Sequence, residues 1–540
     1  MNTAYHLLLA LVLRAAILFM VELMAYCGAY ANDLTKHRLP MKSLVYCSEA
    51  SPTGFDPNRY IAVSDNVVAV AAFNRLLEYN RTNINKIEPS LAERWDISPD
   101  GRVYTFYLRR GVKFHTTPWF KPTRDFNAED VVFTFERMRN PNMPFRKAYP
   151  SEFPDFEGLE KVIANIDLPD LSNPYIVRFT LNTVYAPFLS DLAQPAASIV
   201  SAEYAQQLLE KGKPSEINQK PVGTGPFIFH KYDKDSTLVF DGNPAYWKPE
   251  DVQLSKLIFA ITPDAAVRAQ KLIRNECQVS AGPRPSDIAR LRKAPHLRVL
   301  SQSGFSVGLL VYNVTHQPLD DVRVRRALDM AIDKKAMIDA VYDGHAQVAV
   351  APMPPLQWGY DKSLKDTPRD VKQARQLLAQ AGYPNGFTLS LWTKPVPGAY
   401  NPNPRLMAQM IQADWKKIGV KAKIVTYELA EYLKRTYKGE HDARLADWIN
   451  QKNDPDEWLT TDYLSRWHNK AFDDLRQKAR QTIDTAKRTQ LYLEAQKIFK
   501  REQPYTPLVY ATNYQVINKH VTGFKINPLG PTIFSGVGLR

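Results

Sequence analysis

Apolar and polar positions alternate in two rhythms along this chain, and the change from one to the other marks out elements. Trp95–Ile97 and Val103–Leu108 flank Ser98-Pro99-Asp100-Gly101, the signature of a hairpin. Asn127 then opens a helix, with Asp130 in the capping-box position and Val131, Val132 and Phe135 at helical spacing. Asp321 opens another, with Val324, Ala327, Leu328, Ala331 and Ile332 along one face. Lys372–Ala381 reads as a helix stopped by Gly382. Phe387–Trp392, Arg405–Ile418 and Val420–Tyr427 read as strand, helix and strand, with Gly419 ending the helix. Such a unit implies two parallel strands joined by a right-handed crossover. One long helix is expected over about Asp474–Lys500, followed by an extended tail bracketed by Pro504 and Pro507. The pattern is α/β or α+β throughout, with no internal repeat and no low-complexity tract.

The first residues break this pattern. Two apolar heptamers, Leu7–Leu13 and Ala15–Val21, flank Arg14 and precede Ala29-Tyr30-Ala31, a small-x-small cleavage site. Residues 1–31 therefore read as an export signal cut after Ala31, and neither run has the ~18 apolar residues of a membrane span. Bulky Tyr26 argues against a lipid anchor at Cys27. Removing the signal leaves Cys47 and Cys277 as the remaining cysteines. In an oxidising compartment one pair suggests one disulfide; two buried free thiols are the alternative.

Composition narrows the class. With 540 residues, 44% apolar and 23% charged, the chain is ordinary globular protein of three or four domain-sized units at about 150 residues each. It is not a disordered chain, a collagen-like fibre or a polytopic membrane protein. Lys and Arg exceed Asp and Glu by 70 to 56, a net +14, which is mild at this length and does not establish nucleic-acid binding. The clusters Arg109-Arg110 and Arg323-x-Arg325-Arg326 lack interleaved aromatic platforms and read as solvated faces.

Catalytic and metal signals are weak. Gly304-Phe305-Ser306-Val307-Gly308 matches the GxSxG nucleophile pattern, but that elbow needs a helix after the serine. Here Leu309–Val314 reads as another strand, so a serine hydrolase at Ser306 is a remote alternative. The histidines are scattered, no metal-ligand spacing appears, and no phosphate-binding glycine loop is present, so neither metal nor cofactor is expected. Asp454-Pro455-Asp456-Glu457 reads as a solvated turn rather than a cation site.

Several strings carry a resemblance. Leu44-Val45-Tyr46-Cys47-Ser48-Glu49 with Gly54-Phe55-Asp56-Pro57 is similar to the mature start of bacterial dipeptide-binding proteins, as is Phe126-Asn127-Ala128-Glu129-Asp130-Val131-Val132-Phe133. Pro221–Phe227, Ile261–Ala265, Asn275–Gln278 and Met410–Trp415 add ordered matches over about Leu44–Gly530. The chain thus resembles the large extracytoplasmic solute-binding proteins of ABC importers, family 5, in the branch that binds dipeptides, haem and antimicrobial peptides. The resemblance implies an α/β, two-lobed periplasmic-binding-protein fold, hinged between lobes. One lobe is expected at 32–303 plus 512–540, with an inserted subdomain at about 80–215, and the other at 304–511. The hinge crossings fall near Gly304–Gly308 and Ala511–Tyr514, and Cys47 and Cys277 fall where the family has a disulfide. Also implied are a peptide ligand, an inner-membrane ABC permease as partner, a monomer, no nucleic acid and no enzymatic activity, with haem or an antimicrobial peptide as the alternative ligand.

The resemblance also supplies candidate ligand contacts and two departures. Tyr400 stands in the string Tyr400-Asn401-Pro402-Asn403, and Trp448, Asn450 and Gln451 precede Asp454-Pro455-Asp456. Dipeptide-binding relatives hold the ligand carboxylate with an arginine and its ammonium with an aspartate. Here those two positions are Gly398 and Gln451. Losing one partner of a buried charge pair costs about 2–5 kcal/mol, so a neutral pocket is expected unless Lys394, Arg405 or Lys452 compensates. The segment Glu457–Phe472 lacks the family's second disulfide, and His468, a possible haem ligand, reads first as a surface residue.

Overall fold

A computed structural model describes residues 42–59, 62–397 and 401–540. The expected signal sequence at 1–31 lies outside the described residues. Among the described residues no helix is long and apolar enough to cross a membrane.

The main sheet is organised by one strand. Tyr505–Asn518, 14 residues long, runs antiparallel to two consecutive strands. Its second half pairs with Leu297–Ser303, from Ser303 opposite Thr512 to Leu297 opposite Asn518. Its first half pairs with Ser306–Tyr312, where Gly308 faces Val509 and Val311 faces Tyr505. Between the two ladders the Gly304 N–H donates to the Ala511 carbonyl at 2.9 Å. A Cβ at Gly304 would lie 2.4 Å from that oxygen, so the close backbone approach requires glycine. Pro507 has no N–H to give the ladder, and the register shifts beside it, between Gly308 and Leu309.

On one side of Tyr505–Asn518 the sheet continues through Ser306–Tyr312 and Ala443–Ile449 to Thr388–Trp392 and Lys421–Val425. On the other it continues through Val279–Ser280, Ser43–Ser48 and Lys256–Ile261 to Thr237–Gly242 and Phe227–Asp233. The expected strand–helix–strand unit is present: Thr388–Trp392 and Lys421–Val425 pair in parallel, and helix Pro404–Lys416 joins them with Asn403 capping the Leu406 N–H at 3.1 Å. The Ser306 elbow is not formed. Ser306 begins a fully buried strand, with strand Leu297–Ser303 before it, so the chain after the serine is strand where the elbow needs a helix.

A second, four-stranded antiparallel sheet has the order Ala92–Ile97, Val103–Leu108, Ile176–Leu181, Ile163–Asp167. Helix Ala128–Arg139 covers it. Both halves of the capping box form, as Asn127 accepts from Glu129 N and the Asp130 carboxylate accepts from Asn127 N. Phe135 meets Phe179 edge-on at 5.2 Å, and Phe179 meets Phe106 at 5.7 Å. Phe106, Phe135 and Phe179 are wholly buried, at roughly 1.5–3 kcal/mol of burial each.

Three sequence expectations are corrected by packing. The single helix expected over Asp474–Lys500 is two, Lys470–Arg480 and Thr485–Glu502. Asp484 caps the second by accepting from Lys487 N at 2.8 Å, which favours a fresh start over continuation. Arg325 is not on a solvated face; it is buried and donates to the carbonyls of Leu319, Asp320, Glu502 and Gln503. Asp454 and Asp456 are not in a solvated turn but are 1% and 4% exposed. Cys47 and Cys277 are bonded to each other, fully buried among Ala269, Leu272, Leu291, Leu297 and Val516.

Candidate ligand-binding cleft

Strand Ala443–Ile449 pairs with Ser306–Tyr312, setting Trp448 opposite Val307. Its end delivers Asn450, Gln451, Lys452 and Asn453 into a loop before the short helix Pro455–Trp458. That loop meets a surface built far earlier in the chain. The Asn66 amide, on helix Val63–Ala72, donates to Gln451 Oε1 at 2.7 Å. Asn453 donates through its N–H to the Tyr79 hydroxyl at 3.0 Å and through its amide to the Ile84 carbonyl at 2.7 Å. Lys452 Nζ lies 3.1 Å from Asp191 and 3.5 Å from Glu457.

Beside this seam lies a narrow cleft, partly open to solvent. Gln451 lines it together with Val70, Arg75, Tyr79, Arg81, Ile84, Ala193 and the tail segment from Gly523 to Ser535. Of the candidate contacts, Gln451 therefore reaches the cleft. Asn450 is buried, its side-chain Oδ1 accepting from Lys452 N at 2.7 Å. Trp448 is partly buried with its ring 5.5 Å from Tyr463. The Asn450 amide nitrogen and Trp448 Nε1 are both buried with no partner among the described residues. Such donors carry a desolvation cost until something accepts from them. Tyr400 and Gly398 lie outside the described residues.

The cations that could replace the missing arginine by sequence are paired or exposed. Lys394 is 3.1 Å from Asp447, Lys452 is committed as above, and Arg405 is exposed on its helix. Burial works against the Lys452 charge, but Asp191 and Glu457 outweigh it and hold its pKa well above the ordinary lysine value. His468 is 68% exposed, between Asp462 and Asp473 at 4.0 Å each, as a surface residue is.

The Asp454-Pro455-Asp456 string serves the loop from behind. Asp454 accepts from Arg488 at 2.8 Å, and Asp456 accepts from Arg480 at 2.7 Å with Arg476 3.5 Å away. Burial pushes the Asp454 carboxyl up to about 6 despite Arg488. Burial also acts on Asp456, but Arg476 and Arg480 win and hold it below the usual range. This node was missed in the sequence, because the partner arginines sit on two later helices whose packing no local pattern reveals.

Residues 86–470 match the model of the bacterial extracellular solute-binding proteins, family 5. The chain belongs to that family. It is 53% identical over 507 residues to Di/tripeptide-binding protein 3 of Pseudomonas aeruginosa, covering 92% of this chain and 94% of that one. It is 40% identical over 509 residues to Heme-binding protein A of Haemophilus influenzae, covering 92% of each. Among solved structures it is similar to the dipeptide-binding protein from Pseudoalteromonas sp. SM9913 in complex with Met-Leu. The TM-score is 0.82 at 34% identity, covering 92% of this chain and 100% of that one. This solute-binding protein thus has the two-lobed fold of the periplasmic binding proteins, and its relatives are binding proteins rather than enzymes.

Proposed function

We propose that this protein is the periplasmic receptor of an ABC importer, capturing short peptides and handing them to an inner-membrane permease. The reading rests on one observation above all, the 53% identity to a di/tripeptide-binding protein over nearly the full length of both chains. Its mechanism is motion: the ligand stabilises a closed arrangement of the two lobes, and the permease recognises that arrangement. We place one lobe at 32–303 plus 512–540 and the other at 304–511. Supporting this boundary, Tyr505–Asn518 changes partner strand at Gly304 and Ala511. The contacts of Asn66 with Gln451 and of Asp191 with Lys452 then join the lobes.

Because Gln451 stands where an ammonium-binding aspartate is expected, the ligand's amino end is not held by a charge there. Native mass spectrometry of the mature protein from its own periplasm tests the peptide reading. A set of small peptide masses is expected; an empty protein that ignores all added peptides would refute it. Gln451→Asp is expected to raise affinity for free-amino peptides over their N-acetylated forms by about tenfold.

Haem is the second reading, favoured by the neutral residue at 451 and by the likeness to Heme-binding protein A. An absorbance titration with haem distinguishes it, since peptide binding produces no Soret band.

A further inference from the structure

The walls of the cleft hold three cations, Arg75, Arg81 and Lys525, and no carboxylate. They differ in how far their charge is already used. Arg81 donates to the Ser535 hydroxyl at 2.7 Å and faces Asp251 at 3.4 Å. Lys525 is exposed at the rim. Arg75 is different: Nε and Nη1 are both buried and neither has a partner among the described residues. Burial pulls its pKa below the ordinary arginine value, with Glu78 and Tyr246 nearby opposing that pull and Arg81 adding to it. An arginine stays charged in such a place, so a guanidinium with two unpartnered nitrogens borders a cleft whose lining supplies no anion.

The backbone that carries it is tied down. The neighbouring Asn74 is buried and tied by Tyr246 at 3.0 Å, Thr224 at 3.1 Å and Trp247 at 3.2 Å. The Arg75 carbonyl accepts from Leu91 N at 3.0 Å. A desolvated guanidinium on an anchored backbone, in a pocket with apolar walls, is suited to a planar carboxylate on an apolar body.

We propose that Arg75 is the ligand-carboxylate anchor of this protein, taking over from the arginine that its sequence lacks at Gly398. The proposal rests on the solute-receptor reading and names the class of solute: a carboxylate on an apolar frame, from a peptide C-terminus, an acidic side chain or a haem propionate.

Calorimetric titration of the full-length mature protein separates these sources. The probes are Leu-Leu-Gln, Leu-Leu-Glu and their C-terminal amides, with haem and haem dimethyl ester. In the wild type, at least one acid is expected to bind about thirtyfold or more tighter than its neutral counterpart. In Arg75→Gln that ratio is expected to fall close to one while the neutral form binds as before. Arg75→Lys is expected to lie between, because an ammonium keeps the charge and loses the fork. A wild type that binds acid and neutral forms alike overturns the assignment while leaving the receptor reading intact. So does a ratio that survives in Arg75→Gln. A ratio seen with haem alone supports Arg75 and removes peptides as the ligand. Failure of every probe to bind overturns both. Should Arg75→Gln not fold, the wild-type ratio and Arg75→Lys still decide.

Discussion

The ammonium of Lys452 lies 3.1 Å from the carboxylate of Asp191, with both side chains largely out of solvent at 15% and 11% exposure. Asp191 belongs to helix Phe188–Ala193, and Lys452 to the loop after strand Ala443–Ile449. The pair fastens two surfaces that meet only in the folded chain, next to the residue that lines the cleft. Removing one partner strands a buried charge. Lys452→Met is expected to lower unfolding free energy by about 3–5 kcal/mol. Adding Asp191→Asn is expected to restore much of that loss. Urea unfolding of the two single variants and the double variant measures the coupling, and simple additivity would show that the pair does not interact.

Asp454 gives a pH dependence with a definite sign. Its folded-state pKa, about 6, lies above the unfolded value near 3.8. The native state therefore holds the proton more tightly than the unfolded chain. The contribution of this group is most favourable below the unfolded pKa and declines as pH rises from about 4 to 6, by about 3 kcal/mol in all. Asp454→Asn is expected to flatten that part of the stability–pH curve, whatever its absolute cost through Arg488. Urea midpoints at half-unit pH steps provide the check.

The disulfide closes a sequence separation of 230 residues. Constraining so long a loop in the unfolded chain contributes up to about 5 kcal/mol in the chain-entropy account. Replacing both Cys47 and Cys277 with alanine is expected to cost about 3–5 kcal/mol. The fold is expected to survive, since the surrounding apolar cluster stays buried. Thermal unfolding with circular dichroism measures it.

Ser306 is completely buried and its hydroxyl has no partner among the described residues. A buried hydroxyl without a hydrogen bond is a net cost, so Ser306→Ala is expected to leave stability unchanged or raise it by about 1 kcal/mol. Ligand binding is expected to be unaltered. An esterase activity abolished by this change would instead revive the hydrolase reading.

What could be read directly from the chain was short in range. The Asn127 and Asp130 box, the Asp321 cap and the parallel strand–helix–strand unit are all written within a few neighbouring residues. The strand after Ser306 is written in the same way, as an unbroken apolar run. Counting cysteines in a chain read as exported was enough to suggest Cys47 with Cys277, because so few partners were available.

Residues whose fate depends on distant neighbours were not legible. Asp454 and Asp456 carry the composition of a turn, and only the packing of helices Lys470–Arg480 and Thr485–Glu502 supplies the arginines that allow their burial. Arg325 reads as surface until the carbonyls of Glu502 and Gln503 close over it. Arg75 and Gln451 share a cleft although nothing in either segment refers to the other. Sequence thus determined where the backbone turns, coils and extends, because caps and apolar periodicity act over one or two turns. Tertiary structure decided which charges are paired, which are left waiting and what the cleft can hold, because desolvation depends on every element that packs around a group.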